Sequence, residues 1–359
     1  MALAAMNEQF ELRVDPGGLR GLGSINFFIG PALARFSSGY AKKKRPHVIW
    51  ELGGLPPRGV SLAALVSFLA VSHRIRQFSD GPQTLEFQWQ PTLFTFLYDI
   101  GFFRIGRELD LFTYDQDVLG GFELRATNPN TGLCVFPFEP PPVYGNKGEL
   151  DRWKGTKRFE FKNRLEFIAG TIFRERRGQK PFTRNLRETV LETAAELVVN
   201  SLLHGKTTAF VGVQRSHVGI SIAVCDAGYG LLHSLHEQHG EKIAIDSSRA
   251  SLNAILIASI IRQKELGLLQ TIEEVTLNKG WVRIATENAE VRWVAANWRP
   301  FREVLDNEHW LSYVQRDFPI KGLGILSKKN WTAEAEQYGT RTYSSPVRGT
   351  RVSFEVPIS

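Results

Sequence analysis

Apolar and polar residues alternate with two different periods along this chain, and the places where the period changes mark its elements. Residues 10–14, 47–52 and 84–89 are short apolar or alternating runs of strand length. Between and after them, residues 25–36, 61–74 and 91–100 have helical spacing. Ser61 stands where an N-cap belongs, Pro91 can open a first helical turn, and Gly101 can close it. Residues 102–105 read as a last short strand. Strand and helix alternating at this spacing predict an α/β unit, with a parallel or mixed sheet carrying helices.

The texture changes after residue 107. Pro129, Pro137, Pro140, Pro141 and Pro142 crowd one stretch, and three consecutive prolines hold the chain extended. The boundary is therefore expected within 140–160, giving a first domain over 1–145 and a second over 155–359. The second domain opens with helices predicted at 164–177 and 182–204 and strands at 207–213 and 218–225. An apolar helix at 251–261 and strands at 281–284 and 290–294 follow.

One stretch of the second domain carries chemistry. Glu196, Asn200 and His204 fall at i, i+4 and i+8 with Leu197, Val198 and Leu202 around them, and Gly205 comes next. That spacing puts a polar stripe on one helix face and ends the helix at the glycine. The apolar strand 218–225 then runs into Asp226-Ala227-Gly228-Tyr229-Gly230. Glycines there let the backbone turn sharply and let a ligand approach. Taken singly, the Glu/Asn pair is a solvated helix face, the histidine a residue suited to a helix C-terminus, and the Asp-Gly segment a turn.

Taken in order, they resemble the N box and first glycine box of the GHKL superfamily of ATPases, which includes gyrase B, MutL, histidine kinases and the anti-sigma-factor kinases. The Glu and the His-Gly ending are most similar to the anti-sigma kinase branch. Gly349-Thr350-Arg351-Val352-Ser353-Phe354 resembles the superfamily's last box, a Gly-Thr opening the final strand. The resemblance covers the C-terminal half only and implies an α/β sandwich with a mixed sheet that binds ATP and Mg²⁺. It implies Asn200 as an oxygen ligand of Mg²⁺ and Glu196 as the base for the attacking water or hydroxyl. Asp226 would accept the exocyclic amine of adenine, with Gly228 and Gly230 leaving room for the base and Thr350 beside it. His204 would lie at the phosphates. The phosphate box departs from the pattern: Gly267 fits its order, but Glu265 holds its first glycine position. Lys321-Gly322-Leu323-Gly324 fits better in letters and comes late in the chain.

The first domain resembles the STAS domain of anti-anti-sigma factors, chiefly through Glu51-Leu52-Gly53-Gly54-Leu55 and Ser61-Leu62-Ala63-Ala64-Leu65. Ser61 occupies roughly the phosphoserine position, though as a residue it reads more simply as an N-cap. The fold class expected is thus α/β in two domains, STAS-like and then GHKL-type.

Composition narrows the function. The chain has 359 residues, 43% hydrophobic and 23% charged, which is ordinary for a globular protein with a core. Its two cysteines exclude a disulfide framework and suit a reducing cytoplasm. No signal peptide and no membrane span is expected, since the longest apolar stretch, 60–71, is broken by Ser61 and Ser67. The net charge of +7 favours anionic ligands or an acidic protein partner, but the basic residues come in small groups, which argues against nucleic acid. His233, His236 and His239 could share a helix face, but they lie where a mobile ATP lid belongs, so a lid is preferred to a metal site. The stretch 296–345 reads as an insertion that could contact a partner. No histidine stands in 151–190 to serve as an autokinase acceptor. The expected activity is ATP hydrolysis or γ-phosphate transfer to a serine or threonine, coupled to a protein contact. A non-catalytic ATP-binding switch is the alternative, favoured by Glu265, and a nucleic-acid scaffold comes third.

Overall fold

The structure is a computed structural model. It describes residues 9–41, 45–55, 60–88, 90–115, 131–142, 147–170, 172–173, 184–239, 250–260, 268–307 and 339–358. The chain begins with β1 (Gln9–Val14), α1 (Leu22–Ser24), a π-helical turn (Ile25–Ile29), α2 (Gly30–Ala41) and β2 (Arg45–Glu51). It continues with α3 (Leu62–Arg76), β3 (Gln83–Glu86), α4 (Pro91–Ile100), α5 (Phe102–Glu108) and β4 (Phe112–Tyr114). These four strands form one sheet in sequence order, each pair parallel.

The second half supplies β5 (Thr131–Phe136), α6 (Lys147–Ala169), α7 (Arg184–Asn200), β6 (Ala209–Arg215), β7 (Gly219–Cys225) and α8 (Gly230–His239). Then come α9 (Ala250–Ile260), α10 (Leu268–Leu277), β8 (Trp281–Val294), α11 (Ala295–Asn307) and β9 (Thr340–Pro357). Five strands make a second sheet in the order β5-β6-β7-β9-β8. Every pairing in it is antiparallel, where a mixed sheet was expected.

The molecule is a mixed α/β fold whose two sheets share a buried layer. Twelve of the fifteen residues of α3 are buried, because this helix is apolar almost all round. Its Phe68 meets Trp50 of β2 edge to face, 4.9 Å between ring centres, while the helix lies against β6 and β7 on its other side. One continuous core thus runs from Leu12, Val48 and Leu85 through α3 to Phe210, Ala223 and Ala285. A second core lies on the opposite face of the second sheet, under α6, α7, α9 and α10. At the seam, buried Asn26 of the π turn donates to the carbonyls of Ser345, at 3.0 Å, and Glu287. Among the described residues no helix is long and apolar enough to cross a membrane.

Several sequence expectations are corrected. Residues 102–105 are helical: Gly101 takes φ +88, closes α4, and lets α5 start at once. Phe102 and Ile105 are buried three residues apart, the spacing of one helix face. Residues 131–136, placed before the expected boundary, pair with β6 in the second sheet. The stretch expected to hold that boundary includes the start of α6, which begins well before residue 164. The segments 281–284 and 290–294 belong to one strand, whose register breaks around Glu287, a residue at φ +45. Ser61 sits at the N-cap of α3 without a side-chain capping bond. Gly267, Glu265, residues 321–324 and most of 296–345 fall outside the described residues.

Candidate functional site

Three local patterns converge where α7 ends. The helix passes Glu196 and Asn200 and widens into a π turn over Ser201–Gly205, which carries His204. Beside it, β7 delivers Asp226, 2% exposed, from a strand that is almost wholly apolar. From the other side β9 brings Gly349 and Thr350.

Asp226 binds the pieces together. Its Oδ1 accepts the backbone N–H of Gly228 at 2.9 Å and of Thr350 at 3.2 Å, and its own N–H donates to Thr350 O at 3.0 Å. The Ser201 hydroxyl, which donates to Leu197 O at 3.0 Å, lies near the same carboxylate. Burial pushes the Asp226 pKa up from 3.8 to about 6; those donors and the charge of buried Arg351 pull the other way.

Two glycines make the junction possible. A Cβ on Gly228 would stand 2.0 Å from Gly205 O, closer than any side chain permits. Gly349 has φ +101, and a Cβ there would stand 2.1 Å from Asp226 O. Gly230 opens α8, and the next N–H, of Leu231, donates to Thr286 Oγ1 at 3.1 Å. Thr286 Oγ1 in turn donates to Gly349 O at 3.0 Å, so the start of α8 is tied to the Gly349–Thr350 turn.

Above Asp226 lies a cavity of about 100 Å³. Leu197, Val224, Leu231, Leu235 and Val352 give it apolar walls, and Asn200, Ser201, His204, Asp226 and Thr350 bring polar groups to it. A mostly apolar slot with a few convergent polar groups is the usual make-up of a small-molecule site. His204 is half-buried; burial first, then the charge of Lys154 and that of Lys206 against Glu237, lower its pKa to about 4. The imidazole is therefore neutral at pH 7.

Of the residues expected at the site, Asn200, His204, Asp226 and Thr350 line the cavity. Gly228 and Gly230 pack beside it, at the junction just described. Gly267 lies outside the described residues, but the next residue, Leu268, opens α10 and lines the cavity. Glu196 does not line it. Its carboxylate is buried against Arg158 of α6, with Nη2 at 2.6 Å and Nε at 2.8 Å from Oε2. His233 and His236 are exposed on α8, and the His233 ring stacks on Tyr229.

Sequence reading missed Ser201, Thr286, Arg158 and the inner face of α8. Ser201 stands next to Asn200 and could have been noticed. The others are brought in by tertiary packing, which leaves no local signal. No protein-family model, no curated protein and no solved structure matches this chain.

Proposed function

We propose that this chain binds Mg²⁺-ATP at the end of α7, with adenine in the cavity over Asp226. The second half would be a GHKL-type nucleotide module and the first half a STAS-like unit packed on its sheet. The observation that carries the reading is the carboxylate of Asp226. It is buried at the floor of an apolar slot, and Oδ1 is committed to two backbone N–H groups. A buried acceptor in that setting suits a neutral ligand N–H, such as the exocyclic amine of adenine, rather than an anion.

The residues also suit magnesium. Asn200 is half-buried at the cavity and offers one amide oxygen. Mg²⁺ keeps several waters and takes few protein ligands when phosphates supply the rest. When bound, the metal would neutralise phosphate charge.

The contact of Glu196 favours a switch over rapid turnover. A carboxylate held by a guanidinium is stabilised in its charged form and is a weaker base. Hydrolysis or phosphotransfer through Glu196 would need Arg158 to let go, and a protein contact that moves α6 could supply that movement. Nucleotide binding that reports to a protein partner is therefore the function we favour.

Titration with ATP and GTP tests the base assignment. Guanine puts a carbonyl where adenine has its amine, so ATP should bind at least about tenfold more tightly. Equal affinity would remove Asp226 from base recognition. Product analysis on the same samples tests turnover: ADP formed equally by wild type and Glu196→Ala would exclude Glu196 as the base.

A further inference from the structure

α6 and α7 meet along a ladder of charges with a spacing of four residues. Lys162 of α6 bonds Glu188 and stands 2.9 Å from Glu192 Oε1. One turn back on α6, and one turn on along α7, Arg158 holds Glu196. These two rungs match cation to carboxylate. The next rung of α6 is Lys154, and the residues that follow on α7 and its π turn are Asn200 and His204. Neither of these two residues is a carboxylate, and both line the cavity. Lys154 is half-buried and makes no hydrogen bond or ion pair among the described residues. Its charge is nonetheless felt at His204.

The row is matched for two rungs, and at the third the cation on α6 comes opposite two uncharged residues of the cavity wall, an arrangement that an anion from outside would complete. We propose that Lys154 is the phosphate-binding cation of this site, receiving the terminal phosphates of the nucleotide whose base lies over Asp226. The inference rests on the nucleotide reading and adds to it: α6 becomes part of the binding site and senses how many phosphates are present. A lysine ammonium is a compact point charge on a flexible stem, suited to phosphate oxygens. Nucleotide binding would complete the third rung and tighten α6 on α7, next to the pair that restrains Glu196.

Calorimetric titration of the full chain with adenosine, AMP, ADP and ATP tests this, using wild type, Lys154→Gln, Lys154→Arg and Arg152→Gln. Arg152 is exposed on the same helix, so Arg152→Gln removes an equal charge away from the cavity. Lys154→Gln should weaken ATP about tenfold and leave adenosine unchanged. Lys154→Arg should recover most of the loss, and Arg152→Gln should match wild type. An unchanged ratio of ATP to adenosine affinity in Lys154→Gln overturns the inference while the nucleotide reading stands. So does an equal loss for adenosine and ATP, which would mean that Lys154 only supports the fold. If wild type binds neither ligand, the nucleotide reading falls and this inference with it.

Discussion

Two openings in this molecule carry carboxylates, and they differ in almost every other respect. Over the C-terminal ends of β1, β2 and β3 lies a mouth of about 390 Å³ lined by Asp15, Glu51, Glu86 and Gln88. It has more charge than the cavity over Asp226, and ends of parallel strands are common ligand sites. Yet two of its three carboxylates already share a cation, and the third, Asp15, accepts the Gly17 N–H at 2.8 Å. Arg13 lies 3.3 Å from Glu51 and 2.9 Å from Glu86, with all three side chains about half exposed to water. Asp226 is far more buried: it is 2% exposed, its support is two backbone N–H groups and the charge of buried Arg351, and apolar walls stand over it. A ligand gains most where a polar group is both buried and incompletely satisfied. Charge count favours the mouth, and burial favours the cavity over Asp226, where our proposal places the ligand.

The sharpest way to break this contrast is to put a methyl group at each opening. Gly228→Ala would drive a Cβ into Gly205 O, and the junction of α7 with Asp226 would have to open. A loss of about 3 kcal/mol in chemical denaturation is expected, an overpacking effect at a site with no slack. Among the described residues, a Cβ on Gly54, at the mouth, would meet only Asp15 Oδ2, at 3.9 Å. Gly54→Ala should change stability by less than about 0.5 kcal/mol. Similar losses in the two variants would mean that the junction is looser than described.

Neutralising the carboxylates comes next. Asp226→Asn removes a buried charge, so it should raise stability at pH 7 by about 1–2 kcal/mol. Because Oδ1 holds two N–H groups, the amide oxygen would keep that place and turn an NH₂ toward the ligand. An amine facing the adenine amine should abolish measurable ATP binding. Glu51→Gln at the mouth should leave ATP affinity unchanged.

Acid titration of stability separates the two titrating groups at the cavity. Between pH 3.8 and about 6 the folded chain holds the Asp226 proton more tightly than the unfolded chain, so Asp226 makes stability fall as pH rises. Between about pH 4 and 6.5 the unfolded chain holds the His204 proton more tightly, so His204 makes stability rise with pH. The two effects oppose each other in wild type. Asp226→Asn should therefore show stability climbing more steeply from pH 4 to 6, and His204→Gln should show the reverse. Parallel curves for all three proteins would contradict the burial assigned to both groups.

The smallest effect belongs to Arg13. It is exposed and its partners are solvated, so Arg13→Gln should leave the unfolding midpoint within error of wild type.

What the sequence disclosed follows the reach of each signal. Asn200, His204 and Gly205 lie within one helix end, Asp226 to Gly230 within one turn, and Gly349 with Thr350 at one strand. Each could be read locally, and the fold brings them to one place. The role of Glu196 could not be read this way, because its partner Arg158 lies on another helix and the helical spacing of α7 is the same with or without it. Residues 102–105 misled because a short apolar run has no decisive period; only Gly101 at φ +88 shows that two helices meet there. The Thr131–Phe136 strand carries no mark of which sheet it joins, and its neighbour β6 comes some seventy residues later. The single strand β8 was read as two because the bulge at Glu287 interrupts its alternation.

The most direct test of the account is an ATP titration with and without Mg²⁺ on folded wild type and folded Asp226→Asn. Wild type should bind, more tightly with the metal, and Asp226→Asn should not bind at all while unfolding at the same or a higher temperature. Equal binding by the two proteins, or none by wild type, would contradict the claim that this buried carboxylate holds a nucleotide base.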